Sequence, residues 1–90
     1  MNELEKNIQR KILQKARRNK AIVFKSDTPP RGWPDLTYIK DGQVAFIEVK
    51  RPGQAPRLNQ QRRLAELSKQ GIPCIAADSV EAALEFINSL

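Results

Sequence analysis

The chain is predicted to fold as an α/β sandwich, in which helices flank a small mixed sheet. Three observations support this prediction. Asp41-Gly42 separates two segments rich in β-branched and aromatic residues, which indicates a hairpin. Apolar residues recur at helical spacing in three other segments. A short apolar run at 72–77 follows a glycine, which indicates a further strand. The predicted order is therefore helix, three strands, helix, strand, helix.

The first helix is predicted over residues 2–19. It carries apolar residues at a spacing of four, Leu4, Ile8, Ile12 and Ala16, and Asn2 is a suitable N-cap. Glu5 falls at the edge of this apolar stripe. An acid there is either a first-turn residue favoured by the helix dipole or a functional group directed at a site.

Positive charge is concentrated in the first segment. The net charge is +6, and residues 26–90 contain eight residues of each sign, so the whole excess lies in residues 1–25. A basic stripe of this kind is typical of nucleic-acid binders, although a solvated helix face is the simpler alternative. The candidate nucleic-acid contacts on this helix are Arg10, Lys11, Lys15, Arg17 and Arg18.

A short strand is predicted at 21–25, followed by a loop at 26–34 that is rich in proline, glycine, serine and aspartate. The loop leads directly into Asp35, so its last residues should border any site built around that acid. Arg31 is a candidate phosphate contact, and Trp33 could either stack on a base or cover the core.

The hairpin strands are predicted at 36–40 and 43–49. A two-residue type I′ turn at Asp41-Gly42 pairs Lys40 with Gln43, and the same register places Asp35 opposite Glu48. Cross-strand Cβ atoms lie roughly 5 Å apart, and like charges there are destabilising. The repulsion is relieved if a divalent cation lies between the acids, because hard cations such as Mg²⁺ bind carboxylates.

Lys50 shares a strand face with Glu48, about 7 Å further along. Two acids that hold a cation, beside a lysine, are the groups that hydrolysis of a phosphodiester requires, because the metal activates water and neutralises developing charge. Lys50 would orient or deprotonate the attacking nucleophile.

The second helix is predicted over residues 58–70, with Asn59 as its cap and Gly71 as its end. On this helix Gln60 shares a face with Leu64 and Leu67, so it should point inward, whereas Gln61 should point outward. A connection through this helix makes the fourth strand parallel to a neighbour. A closing helix is predicted over residues 80–90, and its acidic start makes it a poor surface for DNA.

Composition excludes several classes of function. Histidine is absent, which removes His-based zinc sites and His general bases. Cys74 is the single cysteine, interpreted as a small core residue rather than a reactive thiol, so no intrachain disulfide forms and an intracellular location is favoured. No apolar run approaches membrane-spanning length. We therefore expect a protein of the bacterial cytoplasm, host or phage-encoded, with no membrane partner.

Five elements occur in order along the chain: Glu5 on the first helix, Gly32-Trp33-Pro34-Asp35, the Asp41-Gly42 turn, Glu48-Val49-Lys50-Arg51-Pro52, and Gln60 ahead of a leucine-rich helix. This pattern resembles the VRR-NUC family of the PD-(D/E)XK nuclease superfamily, whose restriction-endonuclease-like core is α-β-β-β-α-β with a mixed sheet. The resemblance covers nearly the entire chain. It implies a single nuclease domain over residues 1–90, of the stand-alone kind found in phages.

The resemblance implies a role for each site residue. Asp35, Glu48 and the Val49 backbone carbonyl would bind Mg²⁺ or Mn²⁺, and Lys50 would position or activate water. Glu5 would complete the catalytic set, as a further metal ligand or by holding a metal-bound water. Gln60 would orient Lys50 or contact substrate. Arg51, beside the triplet, joins the basic residues as a candidate DNA contact.

Small VRR-NUC proteins are similar to Holliday-junction resolvases, which work as symmetric homodimers. The leading hypothesis is therefore a metal-dependent endodeoxyribonuclease for branched DNA, with recognition by shape and phosphate. The alternatives are a flap, restriction-type or other duplex nuclease, and a non-catalytic DNA-binding module that keeps the fold. An adaptor for a replication or repair protein is a third alternative, for which an exposed patch around Leu84, Ile87 and Leu90 would be the signature.

Overall fold

The computed structural model describes residues 2–17 and 20–90. The elements are α1 (Glu3–Ala16), β1 (Ile22–Lys25), β2 (Leu36–Lys40), β3 (Gln43–Val49), α2 (Leu58–Lys69), β4 (Cys74–Ala77) and α3 (Val80–Asn88). The predicted order of elements and the mixed α/β class are therefore confirmed. None of the helices in the described ranges is long and apolar enough to cross a membrane.

The sheet has the order β1-β2-β3-β4, with antiparallel pairing throughout except between β3 and β4, which are parallel. The predicted hairpin register is confirmed, because Lys40 pairs with Gln43 and Leu36 with Ile47. The turn has φ of 52° at Asp41 and 77° at Gly42. Both values are positive, as a type I′ turn requires.

Alternate residues of the strands pack against α1 and α3 on one face of the sheet. This core includes Val23, Leu36, Tyr38, Ala45, Ile47, Val49 and Ala77 from the strands, with Ile12, Ala16, Ala83 and Ile87 from the helices. The opposite face carries Phe46 and Glu48 and is covered by the loop before β2 and by α2. The site therefore lies on the α2 face, where β3 ends.

Capping residues account for where the helices start and stop. The Asn2 side chain accepts a hydrogen bond from the Glu5 N–H at 2.9 Å, which confirms the predicted cap of α1. The N-cap of α2 is Arg57, so the prediction of Asn59 was wrong. Gly71 ends α2 with φ of 77°, while Ile72 N–H bonds to Leu67 O, as in a Schellman motif.

Several predicted boundaries were too long. The first helix ends at Ala16 with Arg17 as its cap, and residues 18 and 19 lie outside the described residues. Strand β4 begins at Cys74 rather than at 72, and α3 ends at Asn88. Leu4 is 57% exposed, so the apolar stripe of α1 begins at Ile8 and not in the first turn.

Candidate metal-dependent active site

The predicted cross-strand acids meet at the end of the hairpin. Asp35 directly precedes β2, and its Oδ2 accepts a hydrogen bond from the Val49 N–H at 2.8 Å. Glu48 lies on β3 and is only 3% exposed. The two carboxyl groups are near enough that the charge of Asp35 raises the pKa of Glu48. The hairpin register therefore brings both acids to one point.

Lys50 and Gln60 both contact the same oxygen of Glu48. The Lys50 Nζ lies 3.3 Å from Glu48 Oε2, and Lys50 is itself 6% exposed. The Gln60 Nε2 donates to Glu48 Oε2 at 2.8 Å. Its Oε1 accepts from the Arg57 N–H at 2.8 Å, so Gln60 connects the start of α2 to the acid. The inward direction predicted for Gln60 is confirmed, and Gln61 is exposed.

A cavity of about 310 Å³ opens over these residues. Its lining is almost entirely polar and comes from α1, the hairpin, the 51–57 connection and α2: Asn2, Glu5, Asp35, Glu48, Lys50, Gln54, Arg57 and Gln60. Glu5 thus reaches the same cavity from α1, and its charge is one of the factors that raise the pKa of Asp35. The first turn of α1 borders the cavity instead of the core, which is why Leu4 is exposed.

Burial alters the titration of both acids. The pKa of Glu48 is raised to about 7, first because the carboxyl is buried and second because Asp35 lies beside it, while Lys50 opposes the shift. The pKa of Asp35 is also raised, again chiefly by burial, against the lowering effect of the Val49 N–H. The pair therefore retains a proton more readily than two exposed acids would. A divalent cation would favour the ionised forms.

The donor set fits a hard divalent cation. Glu48 Oε1 is buried and has no hydrogen-bond partner in the described protein. In a strand, the N–H and C=O of one residue point toward the same neighbour. The Val49 N–H is directed at Asp35, whereas the Lys50 N–H is directed at Ala77 O at 2.8 Å, so the Val49 carbonyl is expected on the side of Asp35 and its role as a ligand stays a prediction. Two carboxylates and a carbonyl are all oxygen ligands, as Mg²⁺ and Mn²⁺ prefer.

The protein itself would supply only part of the coordination of such an ion. Within residues 2–17 and 20–90, no three His, Cys, Asp or Glu side chains are grouped closely enough to hold a metal. The structure therefore does not gather Glu5 with Asp35 and Glu48 as a third ligand, and that role stays a prediction. Mg²⁺ usually keeps several waters and binds one or two carboxylates together with substrate phosphate.

Comparisons with known proteins identify the family. The model of the VRR-NUC domain matches residues 1–81. The chain belongs to the VRR-NUC domain family. A curated relative named "Putative nuclease p44", from Acyrthosiphon pisum secondary endosymbiont phage 1, is 34% identical over 77 residues, which is 83% of each chain.

Two solved structures show the same fold. One, described as "VRR_NUC domain", has a TM-score of 0.85 and 23% identity, and the match covers 97% of each chain. The other, described as "VRR_NUC domain protein", has a TM-score of 0.82 and 18% identity, and covers 99% of this chain and 88% of its own. The fold predicted from the PD-(D/E)XK resemblance is therefore confirmed.

The predicted DNA contacts of this VRR-NUC domain have different surroundings. The basic residues Lys6, Arg10, Lys11 and Arg17 line a separate concave surface of about 630 Å³ along α1. Arg17 also donates from Nε and Nη2 to the Val23 carbonyl, at 3.3 and 3.2 Å, so it joins α1 to β1. Lys15, Arg31 and Arg51 are exposed, and Arg18 lies outside the described residues.

Trp33 has a structural role in the loop before Asp35. Its ring packs edge-on against Phe46, with 5.2 Å between centroids. The Arg63 guanidinium lies 5.6 Å from the Trp33 centroid and its Nη2 donates to the Arg31 carbonyl at 3.4 Å. Of the two interpretations of Trp33, covering the core therefore agrees with these contacts, because Arg63 occupies one side of the ring.

The exposed C-terminal patch expected for an adaptor is not present. Ile87 is 7% exposed and belongs to the core, and Leu84 packs against that core, which leaves only Leu90 outside. Cys74 is half-buried between β4 and α2, and its Sγ donates to the Leu64 carbonyl at 3.3 Å.

Three residues that line the cavity were not predicted to do so from the sequence: Asn2, which was predicted only as a helix cap, Gln54 and Arg57. Gln54 and Arg57 lie in a connection without regular periodicity, so no repeat indicates which of its side chains turn inward. The only available signal is their position between Lys50 and Gln60, which requires this segment to pass the site.

Proposed function

We propose that this VRR-NUC domain is a Mg²⁺- or Mn²⁺-dependent endodeoxyribonuclease that cleaves branched DNA. The observation that carries the proposal is the cluster of half-buried Asp35 with buried Glu48 and Lys50 in a polar cavity. Burying two acids and a lysine is unfavourable unless the charges are paired, so a purely structural role would be better filled by apolar residues. The name of the phage relative, which includes "nuclease", supports the same chemistry.

Each residue has a defined part in the proposed reaction. When bound, the cation activates water and neutralises charge on the phosphate. Asp35 and Glu48 bind that cation, and the Val49 N–H holds the Asp35 carboxylate in place. The Lys50 side chain, with Nζ 3.3 Å from Glu48 Oε2, orients the attacking water as an ammonium, or accepts its proton as the neutral amine. Gln60 fixes the orientation of Glu48 and aligns it with the start of α2.

The substrate is held through its phosphates. Arg57, which is exposed, lines the cavity beside the acids. The basic surface of α1 begins at Lys6, the residue that follows Glu5 in the sequence. Arg57 therefore joins the proposed DNA contacts, while Arg17 combines a contact with a structural bond. Phosphate contacts fix position but carry no sequence information, so recognition depends on the shape of the DNA.

Four-way junctions are the proposed preferred substrate, and a homodimer is the proposed active form. A junction requires paired cuts in two strands of like polarity, and an isologous dimer supplies two identical sites related by a two-fold axis. We propose that the protein acts on such DNA in the cytoplasm of a bacterium, with replication or repair proteins as possible partners.

One cleavage panel tests this proposal. Labelled single strand, duplex, flap and four-way junction are incubated with the protein in Mg²⁺, Mn²⁺ or EDTA, beside Lys50→Ala and the exposed control Lys69→Ala. Symmetric, metal-dependent cuts in the junction are expected, and only Lys50→Ala should lose them. Preferred cutting of the flap or duplex would establish the alternative substrates. Binding without cleavage in either metal would establish a non-catalytic module.

A further inference from the structure

Two buried oxygen atoms without hydrogen-bond partners belong to the same cavity. In the described part of the chain, the buried side-chain atoms that lack a partner are Gln9 Nε2, Glu48 Oε1 and Gln54 Oε1. Glu48 and Gln54 both line the cavity over the acids, whereas Gln9 does not. A buried acceptor without a donor is unfavourable by about 1–3 kcal/mol. Both oxygens therefore need a donor that the described protein does not supply.

Gln54 is held at the cavity by its backbone. The preceding Gly53 N–H donates to Asp78 Oδ2 at 3.1 Å, which ties the connection to the end of β4. The Gln54 N–H donates to the Arg51 carbonyl at 3.1 Å and closes a turn. The side chain therefore starts from a fixed point, four residues after Lys50, and lines the same cavity as the acids.

The chemistry of the surroundings indicates which donor is missing. Lys50 is paired with Glu48 Oε2 and makes no hydrogen bond to Gln54. A hydrated divalent cation carries waters whose hydrogens point outward, and Mg²⁺ in particular keeps several of them when bound. Such a cation would bring donors to a cavity whose free groups are oxygen acceptors.

We propose that Gln54 is a positioning residue whose side-chain carbonyl accepts a hydrogen bond from a water of a divalent cation held by Asp35 and Glu48. This inference rests on the proposed function, because it requires the cation. The neutral amide suits the task, since a further carboxylate beside Asp35, Glu48 and Glu5 would add repulsion whenever the cation is absent. Nothing in the sequence pattern singles out Gln54 for this role.

Metal affinity measured without DNA tests the inference. Mn²⁺ is titrated into the protein and the free ion is followed by its paramagnetic resonance signal. Outer hydrogen bonds to a metal site contribute about 10–100-fold to its affinity, so Gln54→Leu should weaken Mn²⁺ binding by that factor. Gln54→Glu keeps an acceptor and adds charge, so it should bind Mn²⁺ more tightly than the parent protein. Gln61→Leu, on the exposed side of α2, is the matched control.

The neutral variant separates positioning from packing, because the added charge of Gln54→Glu attracts Mn²⁺ whatever the role of Gln54. Gln54→Leu fills similar space without an acceptor, so a side chain that only fills space would leave Mn²⁺ affinity unchanged in this variant. Mn²⁺ affinity of Gln54→Leu equal to that of Gln61→Leu would therefore overturn the inference, even if cleavage slowed, because Gln54 would then act through Lys50 or DNA.

Failure of the inference is distinguishable from failure of the proposed function. If the parent protein and Gln54→Leu bind Mn²⁺ equally while Asp35→Asn does not bind, the metal site stands and the inference is wrong. If the parent protein does not bind Mn²⁺, both are wrong. Unfolding of each variant in EDTA verifies that the fold is retained in the comparison.

Discussion

Glu48 interacts with three groups, Lys50, Gln60 and Asp35, and these interactions together with its burial determine how readily it ionises. Its Oε2 receives Lys50 and Gln60, Asp35 lies beside it, and its Oε1 has no hydrogen-bond partner in the described protein. Burial and the adjacent acid oppose ionisation, whereas Lys50 favours it. The result is a carboxyl whose charge depends on whether a cation is present, which is the behaviour expected of a metal ligand.

The raised pKa of Glu48 predicts how stability depends on pH without metal. In the folded protein the Glu48 carboxyl keeps its proton up to about pH 7, whereas in the unfolded chain it loses that proton near pH 4.5. Since the folded state then binds more protons, the free energy of unfolding in EDTA should fall as the pH rises from 4.5 through about 7. The expected loss is roughly 3 kcal/mol, at about 1.4 kcal/mol per pKa unit.

Urea unfolding in EDTA across this pH range measures the effect, with Glu48→Gln as the comparison. The variant cannot ionise at this position, so its stability should depend less on pH. Equal pH dependence of the two proteins would show that Glu48 titrates normally in the folded state.

Gln60 is predicted to affect stability and metal binding together. Gln60→Ala removes the bond to the Arg57 N–H and should destabilise the protein by about 1 kcal/mol, as loss of a helix cap does. It also removes the donor to Glu48, so Mn²⁺ affinity should fall by about 10–100-fold. Gln61→Ala, with one exposed bond to the Pro56 carbonyl, should change stability by less than about 0.5 kcal/mol. Urea unfolding and Mn²⁺ titration of both variants measure these effects, and equal Mn²⁺ affinity would contradict the role of Gln60.

At the scale of elements, the loop before Asp35 depends on its contact with the start of α2. Gly32 has φ of 80°, and a Cβ there would lie 2.7 Å from the Asn59 carbonyl oxygen. A side chain is therefore excluded by backbone on the opposite element as well as by local strain. This close approach fixes the loop that carries Pro34 and Asp35 against the helix that carries Gln60.

Gly32→Ala should destabilise the protein more than Gly53→Ala. Both positions have φ near 80°, but a Cβ at Gly53 has no atom within 4 Å. Gly53→Ala should therefore show only the conformational penalty of about 1–2 kcal/mol. Gly32→Ala should lose about 1–3 kcal/mol more, because the loop or α2 must shift. Chemical denaturation of the two variants measures the difference, and equal losses would mean that the contact with Asn59 is not tight in solution.

The hairpin was predictable from sequence because one local signal determines its register. Asp41-Gly42 permits a two-residue turn, and that turn alone brings Asp35 to Glu48. The cap of α2 was not predictable in the same way. Asn59 has the preferred chemistry, but Gln60 reaches back to the Arg57 N–H and the helix begins at Leu58. Gln54 and Arg57 lie in a segment whose course depends on the bond from Gly53 to Asp78, which is 25 residues further along the chain.

In the whole molecule, the basic surface of α1 and the cavity that contains the acids are separate surfaces. The acids and lysine of the cavity lie at one end of the sheet, and the excess positive charge lies in residues 1–25, which include α1. A polyanion bound along α1 would thus extend toward the cavity that Glu5 borders. Analytical ultracentrifugation at micromolar concentration would test the proposed homodimer.

Binding of a four-way junction should depend steeply on salt. Each phosphate contact contributes about 0.9 to the slope of log K against log salt on duplex DNA. Arg10→Gln and Lys11→Gln together should therefore reduce the slope by up to about 2, while Lys69→Gln at the end of α2 should leave it unchanged. Fluorescence anisotropy in EDTA measures binding without cleavage. An unchanged slope in the α1 variant would indicate that its basic face is merely solvated.

Cleavage by Asp35→Asn tests whether the carboxylate pair holds the cation that is needed to cut DNA. The substitution keeps the shape of the side chain and a hydrogen-bond acceptor for the Val49 N–H, but removes the charge that holds the cation. Single-turnover cleavage of a labelled four-way junction is measured in rising Mg²⁺ and Mn²⁺, beside DNA binding in EDTA. We expect the variant to bind the junction like the parent protein and to cut it slower by at least about 100-fold. Cleavage at the parental rate would contradict this expectation.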